Sequence, residues 1–381
     1  MGKLVRIFFF LLFLILSGMA QEPFQIHGHL TQAYGRSQNY QFVGLPTTGT
    51  TDYRNLALQF SYHASDGSRL VLQFSHQRIG QSFLMEYEED VELDWGFFEY
   101  RFAENYALKF GRLQLPMGFY NELRDVGIVL PFYSVPYTFY LKGSFVSETL
   151  DGAALITTLQ LPNFWEWRTT LFGGGWTWLE SMGIPNFQGE LEHVVVEASF
   201  NEGGGIHSIL TSPEGNLKVG LGGFVGQIKN SPTFGLVYRT SFGTFWTWNA
   251  SLEWEAGPLI FTGEMFSGIY EEVSQHEDLF YLQAGYRFNP RWSLYGQYGA
   301  IKGYDLNIPR IFRTPGGPES MNLDIHQTTG ISLNYRFSDP LVVKVESHWI
   351  KGYITEKATV NFFKDDPLLN QYFLISIATA F

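Results

Sequence analysis

A chain of 381 residues with 37 acidic and 25 basic side chains carries a formal charge of −12, a balance that argues against a nucleic-acid backbone as partner. It contains no cysteine, which excludes disulfides, thiolate metal sites and cysteine nucleophiles. Aromatic residues reach 17% and glycines number 40, while mean hydropathy is −0.06. Average polarity with so many aromatics fits a transmembrane β-barrel, in which lipid-facing and water-facing residues alternate and cancel.

The chain begins with Lys3 and Arg6, an apolar run from Ile7 to Ser17, and small residues at Gly18 and Ala20. This reads as a secretory signal peptide over residues 1–20, cleaved before Gln21. The run is too short and wrongly flanked for a membrane anchor. Without Lys3 and Arg6 the formal charge becomes −14.

From there to the end, apolar and polar residues alternate with period 2, the signature of half-buried strands. Leu56, Leu58, Phe60 and Tyr62 share one face, opposite Ala57, Gln59, Ser61 and His63. Leu70, Leu72 and Phe74 repeat the scheme after the tight turn Ser65-Asp66-Gly67-Ser68. The pattern places strands near residues 24–35, 53–64, 69–79, 91–102, 105–113, 150–160, 164–175, 204–212, 216–227, 244–255, 257–268, 278–288, 291–302, 326–337, 341–352 and 371–381. That is about 16 strands, an even number, as bacterial barrels have. "HVVVEASF" (193–200) and "PTFGLVYRT" (232–240) could add two and give about 18. Residues 21–381 therefore form one all-β domain, an antiparallel transmembrane barrel.

Two features separate this barrel from a soluble sandwich. Short connections such as "SDGS", "AEN", "PEGN", "EAGP" and "SDP" alternate with long ones along the chain, the pattern of periplasmic turns and outer loops. Aromatics gather beside the short turns, at Tyr100, Phe102, Trp165, Trp167, Trp254, Tyr286, Phe288, Trp292, Tyr335 and Phe337, as in an interfacial girdle.

Candidate chemistry is sparse. His27 and His29 fall on the lumen side of the first strand, but no third metal ligand accompanies them. "MEYEEDVELD" gathers Glu86, Glu88, Glu89, Asp90, Glu92 and Asp94 near the second outer loop, which reads first as a solvated acidic loop and second as a cation-gathering pore mouth. Ser144, Ser147, His207 and His348 could serve an outer-membrane barrel enzyme, but no serine-hydrolase or metalloprotease motif surrounds them.

The longest connection spans residues 114–149. It holds Pro116, Pro131 and Pro136, which oppose strand pairing, and such length is usually functional. Its start, "ALKFGRLQLPMGFYNELRDVG" (107–127), follows "FFEYRFAENY". This stretch resembles the strand, short turn, strand and inward loop of Gram-negative outer-membrane porins, most closely the phosphate-selective and dicarboxylate-type families. The resemblance implies that loop 114–149 folds into the lumen as a constriction and that the protein is a homotrimer. Opposed charges across a narrow pore set ion preference. The candidates are Glu122, Arg124 and Asp125 in the loop, and Glu99, Arg101, Lys109, Arg112 and Arg168 on the wall. Each reads equally as field-setting or as a loop anchor. Strict alternation puts Arg112 on the face of Leu108 and Phe110, towards lipid; a bulge at Gly111 would turn it into the lumen, and that is the expectation adopted here.

The chain ends on "YFLISIATAF", with Phe373, Ile375, Ile377, Thr379 and Phe381 on one face. This resembles the signal that outer-membrane barrels present to the barrel assembly machinery. The reading is then a porin in the bacterial outer membrane, embedded among lipids and lipopolysaccharide, passing ions and small hydrophilic solutes without a cofactor. The alternatives are a non-conducting adhesion or structural barrel, and an enzyme. Net charge favours cations, whereas the porin resemblance favours anions; charge at the constriction decides, because distant charges are screened.

Overall fold

The structure, a computed structural model, describes residues 23–82, 85, 91–140, 148–185, 191–230, 243–271, 275–307, 315–316, 319–354 and 366–381. Among these, sixteen strands close into one antiparallel barrel. In chain order they are β1 (Phe24–Ser37), β2 (Thr50–Ser65), β3 (Ser68–Ile79), β4 (Glu92–Ala103), β5 (Tyr106–Gln114) and β6 (Thr149–Gln160). Next come β7 (Glu166–Pro185), β8 (Leu191–Thr211), β9 (Leu217–Lys229), β10 (Gly243–Ala256) and β11 (Leu259–Tyr270). The last are β12 (Gln275–Arg287), β13 (Trp292–Asn307), β14 (Ser320–Ser338), β15 (Leu341–Gly352) and β16 (Leu368–Ala380). β1 pairs with β16, from His29 opposite Ala380 to Ser37 opposite Tyr372. Closure leaves no edge, so the backbone polar groups of the wall find partners without water.

The expected strands appear in order, with the largest departure at one hairpin. β7 and β8 run to 20 and 21 residues, well past the ends that alternation suggested. His193–Phe200 is the upper part of β8 rather than an extra strand, which leaves the count at sixteen. Glycines hid this hairpin. Gly173 and Gly174 face Gly204 and Gly203, and both ladders of β8 slip here, between Gly174 and Trp176 and between Asn201 and Gly204. A slip of this kind resets which residues face inward. Residues 232–240, the other candidate strand, and the expected signal peptide lie outside the described residues.

Side chains obey the pleat. On β10, Trp246, Trp248, Leu252 and Trp254 are exposed outward while Phe245, Asn249 and Ser251 are buried inside. Aromatic rings pair across the short turns, as in Phe102–Tyr106 at 5.9 Å and Trp254–Phe261 at 5.7 Å. Phe373, Ile375, Ile377 and Phe381 are all exposed on the outer side, and Phe381 joins Gly28 through a reciprocal backbone pair.

The buried core lies within the lumen, not between sheets. In the half nearer the long loops, inward aromatics of β7 to β11 pack together. Trp176 stacks on Phe200 at 4.2 Å, Phe224 lies edge-on to both, and Phe245 meets Tyr270 at 4.8 Å. The inner face of this sector is therefore apolar.

Candidate functional site

The chain leaves β5 at Gln114 and re-enters the wall at Thr149. Between them, the described part of the loop is folded inside the barrel: Leu115, Met117, Asn121, Leu130, Phe132, Thr138, Phe139 and Tyr140 are all buried. Its neck is tied by the Leu115 amide on the Glu148 carbonyl at 3.0 Å. The Asn121 amide adds bonds to the carbonyls of Leu115 at 2.8 Å and Glu148 at 3.1 Å.

From this neck the loop crosses to the far wall. Gly118, at φ +60°, adopts a left-handed turn that a side chain would oppose, since a Cβ there would strike the Tyr140 hydroxyl. The turn aims the Phe119 amide at Glu264 of β11, where it donates at 2.6 Å. Glu264 also accepts from Ser251 at 2.8 Å, Tyr281 at 2.7 Å and the Tyr140 hydroxyl. Four donors around one buried carboxylate satisfy its lone pairs, the condition for burying such a charge. Phe139 enters the aromatic layer beside Phe266 and Tyr281.

A second attachment lies on β14 and β15. Lys344 donates to the carbonyls of Gly127 and Phe132, both at 2.6 Å. Glu346 accepts the Tyr133 amide at 2.8 Å and pairs with His348 at 2.9 Å. Asn334 reaches the Pro131 carbonyl at 3.0 Å. Burial in this setting pushes the phenols of Tyr133 and Tyr140 well above their ordinary range. Alternation could place Lys344 and Glu346 inward; it could not show that a loop from across the barrel was their partner. Glu264 and these two residues were missed as candidates.

The expected site residues divide into three groups. Arg124 and Asp125 are tied into the loop and the wall by hydrogen bonds. Arg124 is buried, bonding Asn121 at 3.0 Å, the Tyr140 carbonyl at 3.2 Å and Glu148 at 3.0 Å. Asp125 accepts from Asn55 of β2 at 2.8 Å. Asp94 belongs to this neighbourhood rather than to an outer acidic loop, because a bulge between Leu93 and Trp95 aligns it with Gln73. Its carboxylate lies near those of Asp125 and Glu148. Glu86, Glu88, Glu89 and Asp90, like Ser144 and Ser147, lie outside the described residues.

Glu99, Lys109 and Arg168 face the lumen from β4, β5 and β7, and Glu122 lies on the loop inside them. Lys109 sits 3.6 Å from Glu99 and 4.6 Å over the Phe97 ring. Arg69, not among the expected residues, completes this group at 2.9 Å from Glu99. Arg168 faces Glu122 of the loop at 3.9 Å. Arg101 lies exposed at the short-turn end of β4.

Arg112 requires correction. The β4–β5 and β5–β6 ladders run unbroken through Gly111 and Arg112, so the expected bulge is absent. Arg112 stays on the outer face and pairs with Asp151 at 3.0 Å, two residues from the end of β5. The cost of an outward charge falls near the membrane interface, and Asp151 offsets more of it.

Between the loop start and the wall of β7 to β10 lies a cavity of about 270 Å³. Glu122, Arg168, His207, Lys218 and Glu253 line it, with Phe119 and Leu123. Lys218 and Glu253 are 2.7 Å apart.

No protein-family model and no curated protein matches the sequence. Solved structures do match. OmpT of Vibrio cholerae superposes with a TM-score of 0.58 at 12% identity, over 95% of this chain and 99% of that one. The barrel has the fold of outer-membrane porins. The outer-membrane channel DcaP of Acinetobacter baumannii gives a TM-score of 0.56 at 12% identity, over 94% and 97% of the two chains. An anion-selective porin from Comamonas acidovorans gives 0.58 at 9%, over 94% and 99%.

Proposed function

We propose that the protein is an outer-membrane porin that lets small hydrophilic solutes diffuse through a lumen narrowed by loop 114–149. One observation carries the reading. The loop is pinned against β10 to β15, while the opposite sector keeps Arg69, Arg168 and Lys218 at 37–40% side-chain exposure. Charged side chains open to the barrel interior on that side are what a water-filled passage requires. Cations and carboxylates interleave there, so ion selectivity is weak. The kinship with phosphate-selective and dicarboxylate-type porins rests on residues 107–127 alone.

Oligomer assembly belongs to the same proposal. On the outer face, Asp52 pairs with Arg54 at 2.7 Å and with Arg78 at 2.8 Å, and Arg112 with Asp151 lies further round. A polar node on the outer face of β2 to β6 suits contact with another copy. OmpT of Vibrio cholerae occurs in a trimer form, and a homotrimer is the assembly proposed here. The exposed face ending in Phe381 is the proposed assembly signal.

Single-channel recording in a planar bilayer tests the function. Stepwise conductance in potassium chloride is expected. Folded, membrane-inserted protein that passes no current overturns the proposal and leaves a structural barrel.

A further inference from the structure

We infer that the cavity beneath the loop is a binding subsite for a small zwitterion with an apolar side group, the chemistry of an α-amino acid. The inference rests on the channel reading for its access route, and on the cavity itself for the ligand. At about 270 Å³, the space lies just below the usual range of drug-sized ligand sites. It sits at the short-turn end of the barrel, since Glu166 opens β7, Thr211 closes β8 and Lys218 is the second residue of β9.

Its charges are arranged as a clamp. Glu122 and Arg168 approach from opposite sides, one on the loop and one on the wall. At 3.9 Å they are past hydrogen-bonding distance, and both remain open to solvent. Each is therefore able to take a partner of its own. Arg168 offers the planar fork that suits a carboxylate, and Glu122 accepts an ammonium. Lys218 and Glu253 form a second, closed pair of the same polarity nearby. A bare anion entering here meets Glu122, Glu166 and Glu253 as well as the two cations. A bare cation meets Arg168 and Lys218. Only a solute carrying both signs satisfies both halves of the clamp.

The remaining wall is apolar. Phe119, Leu123 and Ile209 line the cavity. Phe119 is fixed there by the hydrogen bond from its backbone N–H to Glu264 and by the bare backbone of Gly220 beneath its ring. An aliphatic side group of the ligand would lie on this surface and release water.

Calorimetry on the full-length detergent-folded barrel tests the assignment, with L-leucine as probe. 4-Methylpentanoate and 3-methylbutylamine, which each lack one of its charges, are the controls. Saturable leucine binding is expected, with both controls at least tenfold weaker. Arg168→Gln and Glu122→Gln should each weaken leucine at least tenfold. Glu122 is a half-exposed loop residue, so its variant folds even where the other does not. Equal binding of leucine and 4-methylpentanoate, no leucine binding, or unchanged affinity in the folded Glu122→Gln protein overturns the subsite. A barrel that conducts potassium chloride without binding leucine loses the subsite and keeps the channel. One that binds leucine without conducting keeps the subsite and loses the channel.

Discussion

The hydroxyl of Tyr140, on the loop, and that of Tyr281, on the far wall, donate to the same carboxylate oxygen of Glu264. Loop and barrel are thereby joined at one acceptor. In Glu264→Gln the amide brings donors of its own into a nest already filled with donors, so at least one buried group loses its partner. The cost is about 1–3 kcal/mol. A lower thermal midpoint is expected, together with a noisier and larger single-channel current as the loop loosens. A current identical to wild type would show that this contact does not govern the aperture.

The loop phenols make stability depend on alkali. Tyr120, Tyr133 and Tyr140 are raised above their ordinary value by burial, and burial pushes Tyr40 up to about 12. With folded values above the unfolded value of about 10, the unfolded chain sheds protons first as pH rises. Stability is thus unaffected by these groups below pH about 10 and falls above it. Melting curves between pH 8 and 12 should show the decline. The Tyr133→Phe/Tyr140→Phe double variant should show a shallower one; equal slopes would remove these two phenols from the account.

Most of the barrel was legible because its signal is local. Period-2 alternation and tight turns repeat at every hairpin, and neither depends on distant contacts. Legibility failed where backbone geometry broke the period, as at Gly173 to Gly175 opposite Gly203 to Gly205. It failed differently at the site. The length and prolines of residues 114–149 marked a functional loop outside the sheet, and the porin resemblance implied that it folds inward, but Glu264 is one carboxylate in an ordinary strand. Its role exists only because Phe119 and Tyr140, 145 and 124 residues away in sequence, are brought to it. Arg112 shows the opposite error. Alternation placed it outward correctly, and the cost of a lipid-facing charge seemed to forbid this. Asp151, 39 residues on, supplied a partner that no local pattern reveals.

Inside the lumen, Phe200 is fully buried and stacked on Trp176. Gly203 and Gly226 give its ring room, since a Cβ on either would strike it. Phe200→Ala should cost about 3–5 kcal/mol, the range for truncating a packed aromatic. It would also hollow the upper lumen. A lower melting point with raised conductance is expected. Raised stability or an unchanged current would mean that the aromatic layer does not limit the passage.

Lys109 and Arg112, three residues apart on β5, separate pore from wall. Lys109 points inward beside Glu99, whereas Arg112 points outward beside Asp151. Lys109→Glu changes the lumen by two charge units close to the passage, where screening over about 8–10 Å cannot hide it. Reversal potentials in a potassium chloride gradient should shift towards cation preference. Arg112→Glu makes the same change on the outer face, with the barrel wall between it and the solute, and should leave the potential unmoved. It should instead weaken assembly, because it sets a second carboxylate against Asp151 in the polar node; native mass of the detergent-extracted protein reads this out. If Arg112→Glu moves the potential and Lys109→Glu does not, the lumen has been assigned to the wrong face of β5.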